Sequence, residues 1–132
     1  MFLSVADDDK RAVILPAHRL QELGFRLTAT EGTAEILARN GIRVEVVSKY
    51  SDTQESGERN VVDLINAGEI DIVVNTPSGG IARADGYEIR AAAVAADKAL
   101  FTTMAVLGAA VSALPVLREG FDVKSLQEYA QD

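Results

Sequence analysis

The chain has 132 residues, a length that suits one compact unit, and we expect a single domain over residues 1–132. Its 20 acidic and 13 basic side chains give a net charge of −7, which argues against a surface for nucleic acids or anionic membranes. It has no cysteine, which excludes thiol catalysis, zinc-thiolate sites and iron-sulfur clusters and is compatible with the cytoplasmic location that we expect.

Short apolar runs alternate with polar turns and with segments of helical spacing along the chain. This alternation is typical of a parallel α/β sheet. The predicted strands cover residues 2–6, 25–29, 42–47, 70–74 and 99–102. The predicted helices cover residues 13–23, 33–39, 61–68, 85–96, 104–114 and 124–131. The sequence therefore predicts an α/β domain with about five parallel strands.

Several features interrupt this pattern. Pro16 falls inside the first predicted helix, where it predicts a kink or a late start. Residues 48–60 are polar, lack apolar periodicity and predict a mobile loop. Residues 99–117 are uncharged and approach the length of a membrane span, but a buried strand leading into a buried helix has the same composition, and we favour that interpretation. Pro115 and Gly120 are expected to separate the last two helices.

The acidic triplet Asp7 to Asp9 follows an apolar opening that is too short for a secretory signal. Paired carboxylates after a first strand bind magnesium in phosphoryl-accepting receiver domains. Such a domain also needs an aspartate after its third strand and a lysine after its fifth, where this chain has Ser48 and Thr102. We therefore interpret the triplet as a helix start that the helix dipole favours.

His18 is the single histidine, and its spacing places it within the first helix, away from the strand ends. We expect it at the surface or at the core boundary. Without a second histidine or a cysteine, the chain offers no obvious pair of nucleophile and base. No catalytic residue and no metal site is predicted.

The polar residues that follow the strands are the best functional candidates, because ligands of open parallel sheets bind beyond the carboxyl ends of the strands. Backbone amides near two glycines, several hydroxyls, an amide side chain and two lysines gather there, and this combination suits a phosphate. The candidates are Lys10, Thr30, Gly32, Thr33, Lys49, Asn75, Thr76, Ser78 and Gly79. Taken singly, Thr30 and Thr33 are typical of a helix cap and residues 75–80 of a turn, so a purely structural interpretation stays open.

Together these strand-end motifs resemble the methylglyoxal-synthase-like domain, and specifically the C-terminal allosteric domain of the large subunit of carbamoyl-phosphate synthetase. The resemblance covers essentially the whole chain. It rests on Leu3-Ser4-Val5-Ala6, Asp9-Lys10, Gly24-Phe25, Ala29-Thr30-Glu31-Gly32-Thr33-Ala34, Gly41-Ile42, Lys49, Val74-Asn75-Thr76-Pro77-Ser78-Gly79, Ile89-Arg90-Ala91-Ala92 and Thr102-Thr103.

The resemblance implies a three-layer, Rossmann-like fold with five parallel strands and helices on both faces. It also implies a regulatory site for nucleoside monophosphates, with uridine monophosphate (UMP) as inhibitor and, in some members, inosine monophosphate (IMP) as activator. The implied phosphate site is Lys10, Thr30, Thr33 and Lys49, with Asn75, Thr76, Ser78 and Gly79 around the phosphate or the ribose. Pro77 stands where some relatives have a hydroxyl residue, which leaves Ser78 as the donor.

By the same resemblance, the chain is a fragment without chemistry or cofactor of its own. The parent is an ATP-dependent ligase that supplies carbamoyl phosphate for pyrimidine and arginine biosynthesis. The implied partners are the nucleotide effector, the remainder of the large subunit and the glutaminase small subunit. Ornithine, which some relatives bind near a position matching Thr102, is not expected, because Leu100 and Phe101 replace more polar residues there.

The alternative function is a stand-alone methylglyoxal-synthase-type lyase that eliminates phosphate from dihydroxyacetone phosphate. Those enzymes place a catalytic aspartate in a Gly-Gly-Asp turn after the third strand and a histidine near the fourth. This chain has Lys49-Tyr50-Ser51 at the first place and no histidine at the second, so we prefer the regulatory function. Lys10 is expected on an exposed turn, so that Lys10→Glu should remove nucleotide binding and leave the fold intact.

Overall fold

The computed structural model describes residues 1–48, 59–76 and 81–123, with only the backbone described for residues 81–85 and 116–123. In these residues the strands are β1 (Phe2–Ser4), β2 (Thr28–Ala29), β3 (Glu45–Val46), β4 (Ile72–Asn75) and β5 (Ala99–Phe101). The helices are α1 (Ile14–Glu22), α2 (Glu31–Arg39), α3 (Val61–Asn66), α4 (Ile81–Ala95) and α5 (Met104–Val123). A 3₁₀ turn at Asp7–Asp9 lies between β1 and α1.

The described strands form one sheet in the order β3-β2-β1-β4-β5, and every neighbouring pair is parallel. β1 lies in the centre, with Leu3 opposite Ala29 on one side and Val74 on the other. Ser4 lies opposite Asn75, so the carboxyl ends of β1 and β4 are level. The predicted α/β fold with parallel strands is therefore confirmed.

The core has two halves, one on each face of the sheet. Residues of α1, α2 and α5 pack on one face, and residues of α3 and α4 pack on the other. Successive residues of β1 contribute to opposite halves, Phe2 to the α3 and α4 side and Leu3 to the other, as the alternation of strand side chains requires. Helices on both faces explain why the central strands β1 and β4 are apolar up to their last residues, Ser4 and Asn75.

The elements differ from the prediction at their ends. β2 and β3 have two residues each, because a parallel ladder forms only where neighbouring strands overlap. α2 begins at Glu31, two residues earlier than predicted, since Thr30 occupies the N-cap position. α4 begins at Ile81, four residues before the predicted start, and includes residues 81–84, which lie between the predicted turn and the predicted helix.

Pro16 marks a late helix start, one of the two outcomes predicted for it. α1 begins at Ile14, which places the proline in the first turn, where its missing N–H has no intrahelical acceptor to lose. Gly24 ends the helix with a φ of +93°, a backbone conformation that favours glycine.

The predicted break of α5 at Pro115 and Gly120 is wrong, because the helix continues to Val123. Leu107 and Val111 are buried in the core on this helix, and Leu114 packs against the same cluster. Their i, i+4, i+7 spacing holds the apolar face on the sheet. Pro115 itself is exposed, so its ring lies on the side of the helix away from the core.

Two predicted segments fall outside the described residues. They are the helix of residues 124–131 and most of the loop of residues 48–60. Asn60, at the end of that loop, begins α3 with a capping box, in which its side chain accepts from the Asp63 N–H at 3.1 Å and its own N–H donates to Asp63 Oδ2 at 3.0 Å. Among the helices of the described ranges, none combines the length and the apolar character that a bilayer span requires.

Candidate functional site

The candidate site lies at the carboxyl ends of β1, β2 and β4. The chain moves from β1 to β2 and β3 on one side of the sheet and then returns to β4 on the other side, so the strand order reverses between β1 and β4. Open α/β sheets bind ligands at this reversal, because the two connections leave in opposite directions and open a crevice. Ser4 and Asn75 are the paired residues at this point.

Two buried threonine hydroxyls fix the loop that follows β1. Thr33 Oγ1 accepts a hydrogen bond from the Val5 N–H at 3.2 Å, and Thr76 Oγ1 accepts one from the Ala6 N–H at 2.7 Å. Thr33 is 1% exposed and Thr76 is 5% exposed. A hydroxyl oxygen that accepts from a backbone N–H still has its own hydrogen to donate. Both threonines can therefore hold the loop and donate to an anion.

Thr30 lies at the start of α2 but does not cap it with its side chain. Its backbone is extended, with φ −66° and ψ 160°, and no capping hydrogen bond is made by its hydroxyl. The hydroxyl donates instead to Ser4 Oγ at 3.2 Å, which connects β2 to β1. The first helical hydrogen bond is from the Ala34 N–H to the Thr30 carbonyl at 2.8 Å. The amides of residues 31–33 precede it, and such first-turn amides are the groups that bind anions at helix N-termini.

Lys10 lies over the same helix end. A Cβ atom built at Gly32 would be 3.5 Å from Lys10 Cε and 3.7 Å from Lys10 Nζ, so the lysine stem packs on this glycine. Lys10 Nζ donates to the Val5 carbonyl at 3.3 Å and to Asp7 Oδ1 at 2.5 Å. The ammonium group is thus held at the positive end of α2 and beside the loop after β1.

The environment of Lys10 differs from the prediction of an exposed turn. Its side chain is 25% exposed, whereas that of its partner Asp7 is 95% exposed. The lysine is partly buried because its stem packs on Gly32 and its ammonium group reaches the Val5 carbonyl. An ion pair with so exposed a carboxylate is worth little, so Lys10 can exchange Asp7 for a ligand oxygen at small cost.

Asn75 and Arg90 form the other wall of the site. Asn75 Nδ2 donates to the Ser4 carbonyl at 3.4 Å, and its Oδ1 accepts from Arg90 Nη1 at 2.7 Å. Asn75 is 5% exposed. A Cβ atom at Gly86 would be 2.7 Å from Arg90 Nη1 and 3.0 Å from Asn75 Oδ1, so only glycine leaves room for this hydrogen bond. α4 therefore brings a guanidinium group back to the end of β4.

The sequence prediction missed Arg90 and Ser4. Ser4 was assigned to the interior of a longer first strand, whereas β1 ends at this residue. Arg90 lies in the middle of α4, and only the packing of that helix over β4 brings it to the edge of the sheet. Its i, i+4 spacing from Gly86 was the available indication, because a glycine one turn earlier on a helix leaves space for a long side chain.

Of the predicted site residues, those that the structure describes lie together at this edge. They are Lys10, Thr30, Gly32, Thr33, Asn75 and Thr76. Lys49, Ser78 and Gly79 lie outside the described residues, as does Pro77. Thr30, Thr33, Asn75 and Thr76 are all buried and hydrogen-bonded, which is the environment of residues that are fixed before a ligand arrives.

His18 and the acidic triplet are arranged as predicted. His18 is exposed on α1, with Nδ1 3.2 Å from Glu22 Oε1. Asp7–Asp9 form the first turn of a 3₁₀ helix, where the dipole favours carboxylates. Within residues 1–48, 59–76 and 86–115, no group of three or more histidine, aspartate or glutamate side chains could hold a metal ion.

A separate cavity of about 640 Å³ lies at the opposite edge of the sheet. Its lining consists of Gln21, Phe25, Arg26, Leu27, Ala38, Ile42, Arg43, Val44 and Glu45. Glu45 is the first residue of β3, the others precede β2 and β3 or lie near the ends of α1 and α2, and none belongs to the predicted site. The amino group of Met1 is at this edge as well, where it donates to the Arg26 carbonyl at 2.9 Å and burial lowers its pKa.

Comparison with known proteins gives a family and a set of close relatives. Residues 12–102 match the family model of the MGS-like domain. The chain is 64% identical over 131 residues to the carbamoyl phosphate synthase large chain of Clavibacter michiganensis subsp. michiganensis. It is 56% identical over 135 residues to that of Kineococcus radiotolerans and 51% identical over 131 residues to that of Streptomyces coelicolor. These alignments cover 97–98% of this chain and 12% of each relative.

Proposed function

The chain belongs to the MGS-like domain family, and from this premise we propose that it is the allosteric domain of a carbamoyl-phosphate synthetase large subunit. In this function it binds a nucleoside monophosphate, UMP or IMP, at the carboxyl edge of its sheet. It performs no chemistry itself and carries no cofactor. The relatives at 51–64% identity named carbamoyl phosphate synthase large chain support the parent protein, and the site geometry supports the ligand class.

The observation that carries the ligand class is the convergence of donors at the ends of β1, β2 and β4. Lys10 supplies a positive charge, the first turn of α2 supplies backbone amides, and Thr33 and Thr76 supply hydroxyl hydrogens. A phosphate monoester has about two negative charges at pH 7 and three strong acceptor oxygens. An ammonium group, oriented amides and hydroxyls are the donors that satisfy such a group.

The two walls of the site serve different parts of the nucleotide in this proposal. Lys10, Thr30, Gly32 and Thr33 on the β1 and α2 side hold the phosphate, together with Lys49. Asn75 and Thr76 on the β4 side complete the pocket around phosphate or ribose, together with Ser78 and Gly79, which follow them in the sequence. Arg90 joins this second wall through its hydrogen bond to Asn75, which leaves the remaining guanidinium N–H groups to donate to a ligand oxygen.

In this proposal the domain regulates the large subunit by binding a nucleotide and needs no reaction of its own. A ligand that prefers one of two states of the large subunit shifts their populations, and a typical coupling free energy is about 1–3 kcal/mol. UMP would act as inhibitor and IMP as activator of an ATP-dependent ligase that supplies carbamoyl phosphate to pyrimidine and arginine biosynthesis in the cytoplasm. The partners in this proposal are the remainder of the large subunit and the glutaminase small subunit.

Calorimetry and thermal unfolding of the 132-residue chain test the ligand. UMP or IMP at 100 times its Kd should stabilise the fold by about 2.7 kcal/mol and raise Tm by about 10 °C. Uridine, which lacks the phosphate, should have no effect, and inorganic phosphate should bind more weakly than the nucleotide. Absence of binding by both nucleotides at millimolar concentration would contradict the proposal. Release of phosphate from dihydroxyacetone phosphate would support the lyase instead.

A further inference from the structure

The outward face of α4 is apolar over residues 86–95, the part of the helix whose side chains are described. Every exposed position between Gly86 and Ala96 is an apolar residue. These residues are Tyr87, Ala91, Val94 and Ala95, at the i, i+4, i+7 and i+8 spacing of one helix face. Tyr87 is 65% exposed and Val94 is 69% exposed. We call this set of four residues the α4 stripe.

The other face of α4 is already buried. Ile89, Ala92 and Ala93 belong to the core half that α3 and α4 cover. A surface helix normally has polar side chains opposite its buried face, and a helix that is apolar all round is normally buried all round. α4 combines a buried face with an uncovered apolar one, which is the composition of a helix that packs between two bodies.

On the other layer, no helix has two large exposed apolar side chains on one face within its described residues. Leu15 on α1 is 60% exposed, but exposed His18 and Arg19 lie on the same helix, and a single exposed leucine is common on soluble proteins. Val106 on α5 is 55% exposed, and the other exposed residues of α5 up to Ser112 are alanines. α4 is the helix with two large exposed apolar side chains on one face of its described part.

The α4 stripe is connected to the candidate site through one residue. Arg90 lies on α4 between Tyr87 and Ala91 in sequence, and its guanidinium group is hydrogen-bonded to Asn75 at the end of β4. A ligand that engages Asn75 or Arg90 therefore acts directly on the helix that carries the stripe. A partner seated on the stripe would respond to any shift of this helix.

The small area of the α4 stripe favours a partner in the same polypeptide over a separate molecule. Burying one tyrosine removes about 150–250 Å² of surface, so one tyrosine, one valine and two alanines offer on the order of a few hundred Å². A stable dimer needs about 800 Å² from each partner, whereas interfaces between domains of one chain bury about 600–1,500 Å² in total. Tethering replaces the missing area by an effective concentration in the millimolar range. The relatives contain such a tether, since this chain covers 12% of their length.

We propose that the α4 stripe docks against an apolar patch elsewhere in the same long synthetase polypeptide, and that this contact connects the nucleotide site to the rest of the protein. The inference rests on the proposed function, because it takes the chain to be one domain of a longer synthetase. The occupant is another part of that polypeptide, and a second copy of the chain is the competing occupant.

Site-specific thiol labelling tests this contact, because the 132-residue chain has no cysteine of its own. Val94→Cys is introduced into the chain and into the full-length synthetase, and the labelling rate of the peptide with residue 94 is measured by mass spectrometry. Leu15→Cys is the matched control, since Leu15 is similarly exposed on the opposite layer. Ala91→Cys provides a second position within the stripe. We expect labelling at 94 and 91 to be about tenfold slower in the full-length protein, with no change at 15.

Equal labelling rates at residue 94 in the chain and in the full-length protein would overturn the proposal. So would protection in the isolated chain that increases with its concentration and accompanies dimerisation in sedimentation, because the occupant would then be a second copy. UMP binding is measured on the same samples. If UMP does not bind, the proposed nucleotide function fails, while the labelling contrast still decides the docking contact.

Discussion

Thr33 and Thr76 serve the fold and the site with the same hydroxyl group. Each hydroxyl oxygen accepts from a backbone N–H of the loop after β1, at 3.2 Å from Val5 and 2.7 Å from Ala6. Each hydroxyl then has one hydrogen left for a ligand. The structural and the anion-binding interpretations of these polar turns were alternatives in the sequence. In the folded chain they are compatible, because the first uses the oxygen and the second uses the hydrogen.

Thr33→Val removes the hydroxyl group and keeps the branched shape of the side chain, so it tests the contribution of the hydroxyl alone. Valine keeps the branched side chain but leaves the Val5 N–H without an acceptor at a site that is 1% exposed. The free energy of unfolding should fall by about 1–3 kcal/mol, measured by urea denaturation. Thr33→Ser keeps the hydroxyl and should preserve nucleotide affinity. If both variants lost equal stability, the hydrogen bond to Val5 would not be the cause.

Lys10→Met should weaken nucleotide binding and leave the fold intact. Methionine keeps an unbranched stem over Gly32 and removes the charge, whereas glutamate would place a carboxylate beside Asp7 and the Val5 carbonyl. A hydrogen bond to a charged group contributes about 1.5–3 kcal/mol, so calorimetry should record a Kd that rises by about 10-fold to 100-fold. Lys98→Met, at the amino end of β5, is the control and should bind normally. Unchanged affinity in Lys10→Met would place the phosphate elsewhere.

The site was predictable from the sequence wherever it follows a strand directly. Lys10, Thr33 and Asn75 come within a few residues of a strand end, and parallel strands bring their carboxyl ends to one edge. Arg90 was not predictable in this way, since it lies on α4 well beyond the end of β4. Its place depends on how α4 packs over the sheet, which the order of residues does not specify.

The elements were predictable in type and order, because apolar periodicity distinguishes buried strands from helices that cover them. Their lengths were not, because strand ends depend on the overlap of neighbours in space. β3 is the clearest case, with two paired residues from a predicted run of six, at the edge of the sheet. α5 shows the opposite effect, since the helix continues through Pro115 to Val123, where the sequence predicts a break.

Gly86→Ala should break the hydrogen bond between Arg90 on α4 and Asn75 at the end of β4. The added methyl group would lie 2.7 Å from Arg90 Nη1, so the flexible guanidinium group must move away from Asn75. Alanine favours a helix over glycine by about 0.5–1 kcal/mol, which offsets only part of the about 1–3 kcal/mol lost when the buried Asn75 Oδ1 has no donor, so the unfolding free energy should fall by about 0–2.5 kcal/mol. Nucleotide affinity should fall about tenfold, because Arg90 and Asn75 no longer form one wall.

Gly108→Ala on α5 is the matched control for that change. Among the described residues outside the backbone of its own helix, a Cβ atom at Gly108 would have no neighbour within 4 Å, so the change acts mainly on helix propensity. This variant should gain about 0.5–1 kcal/mol of stability with the same nucleotide affinity. If Gly86→Ala gained the same stability and kept the same affinity, the contact between Arg90 and Asn75 would have no role in binding.

The whole molecule is acidic, yet its candidate site is built for an anion. The net charge of −7 acts at long range, and salt screens it over about 8 Å at physiological ionic strength. Lys10 and the first turn of α2 act within contact distance and are partly shielded from solvent. Acidic composition therefore argues against extended polyanions, which need a broad basic surface, but it is compatible with one bound phosphate.

The proposed coupling between the nucleotide site and the substrate sites of the synthetase can be measured from either ligand. If UMP changes the affinity of the full-length protein for a substrate by some factor, that substrate must change the affinity for UMP by the same factor, because both describe one coupling free energy. We expect the UMP affinity of the full-length synthetase, measured by calorimetry, to depend on bound ATP by about 5-fold to 150-fold. The isolated 132-residue chain should have the same UMP affinity with and without ATP.

Two outcomes would contradict this prediction. An ATP effect on the isolated chain would mean that ATP competes at the nucleotide site itself. Equal UMP affinities of the full-length protein with and without ATP would mean that binding at this edge is not coupled to the ligase.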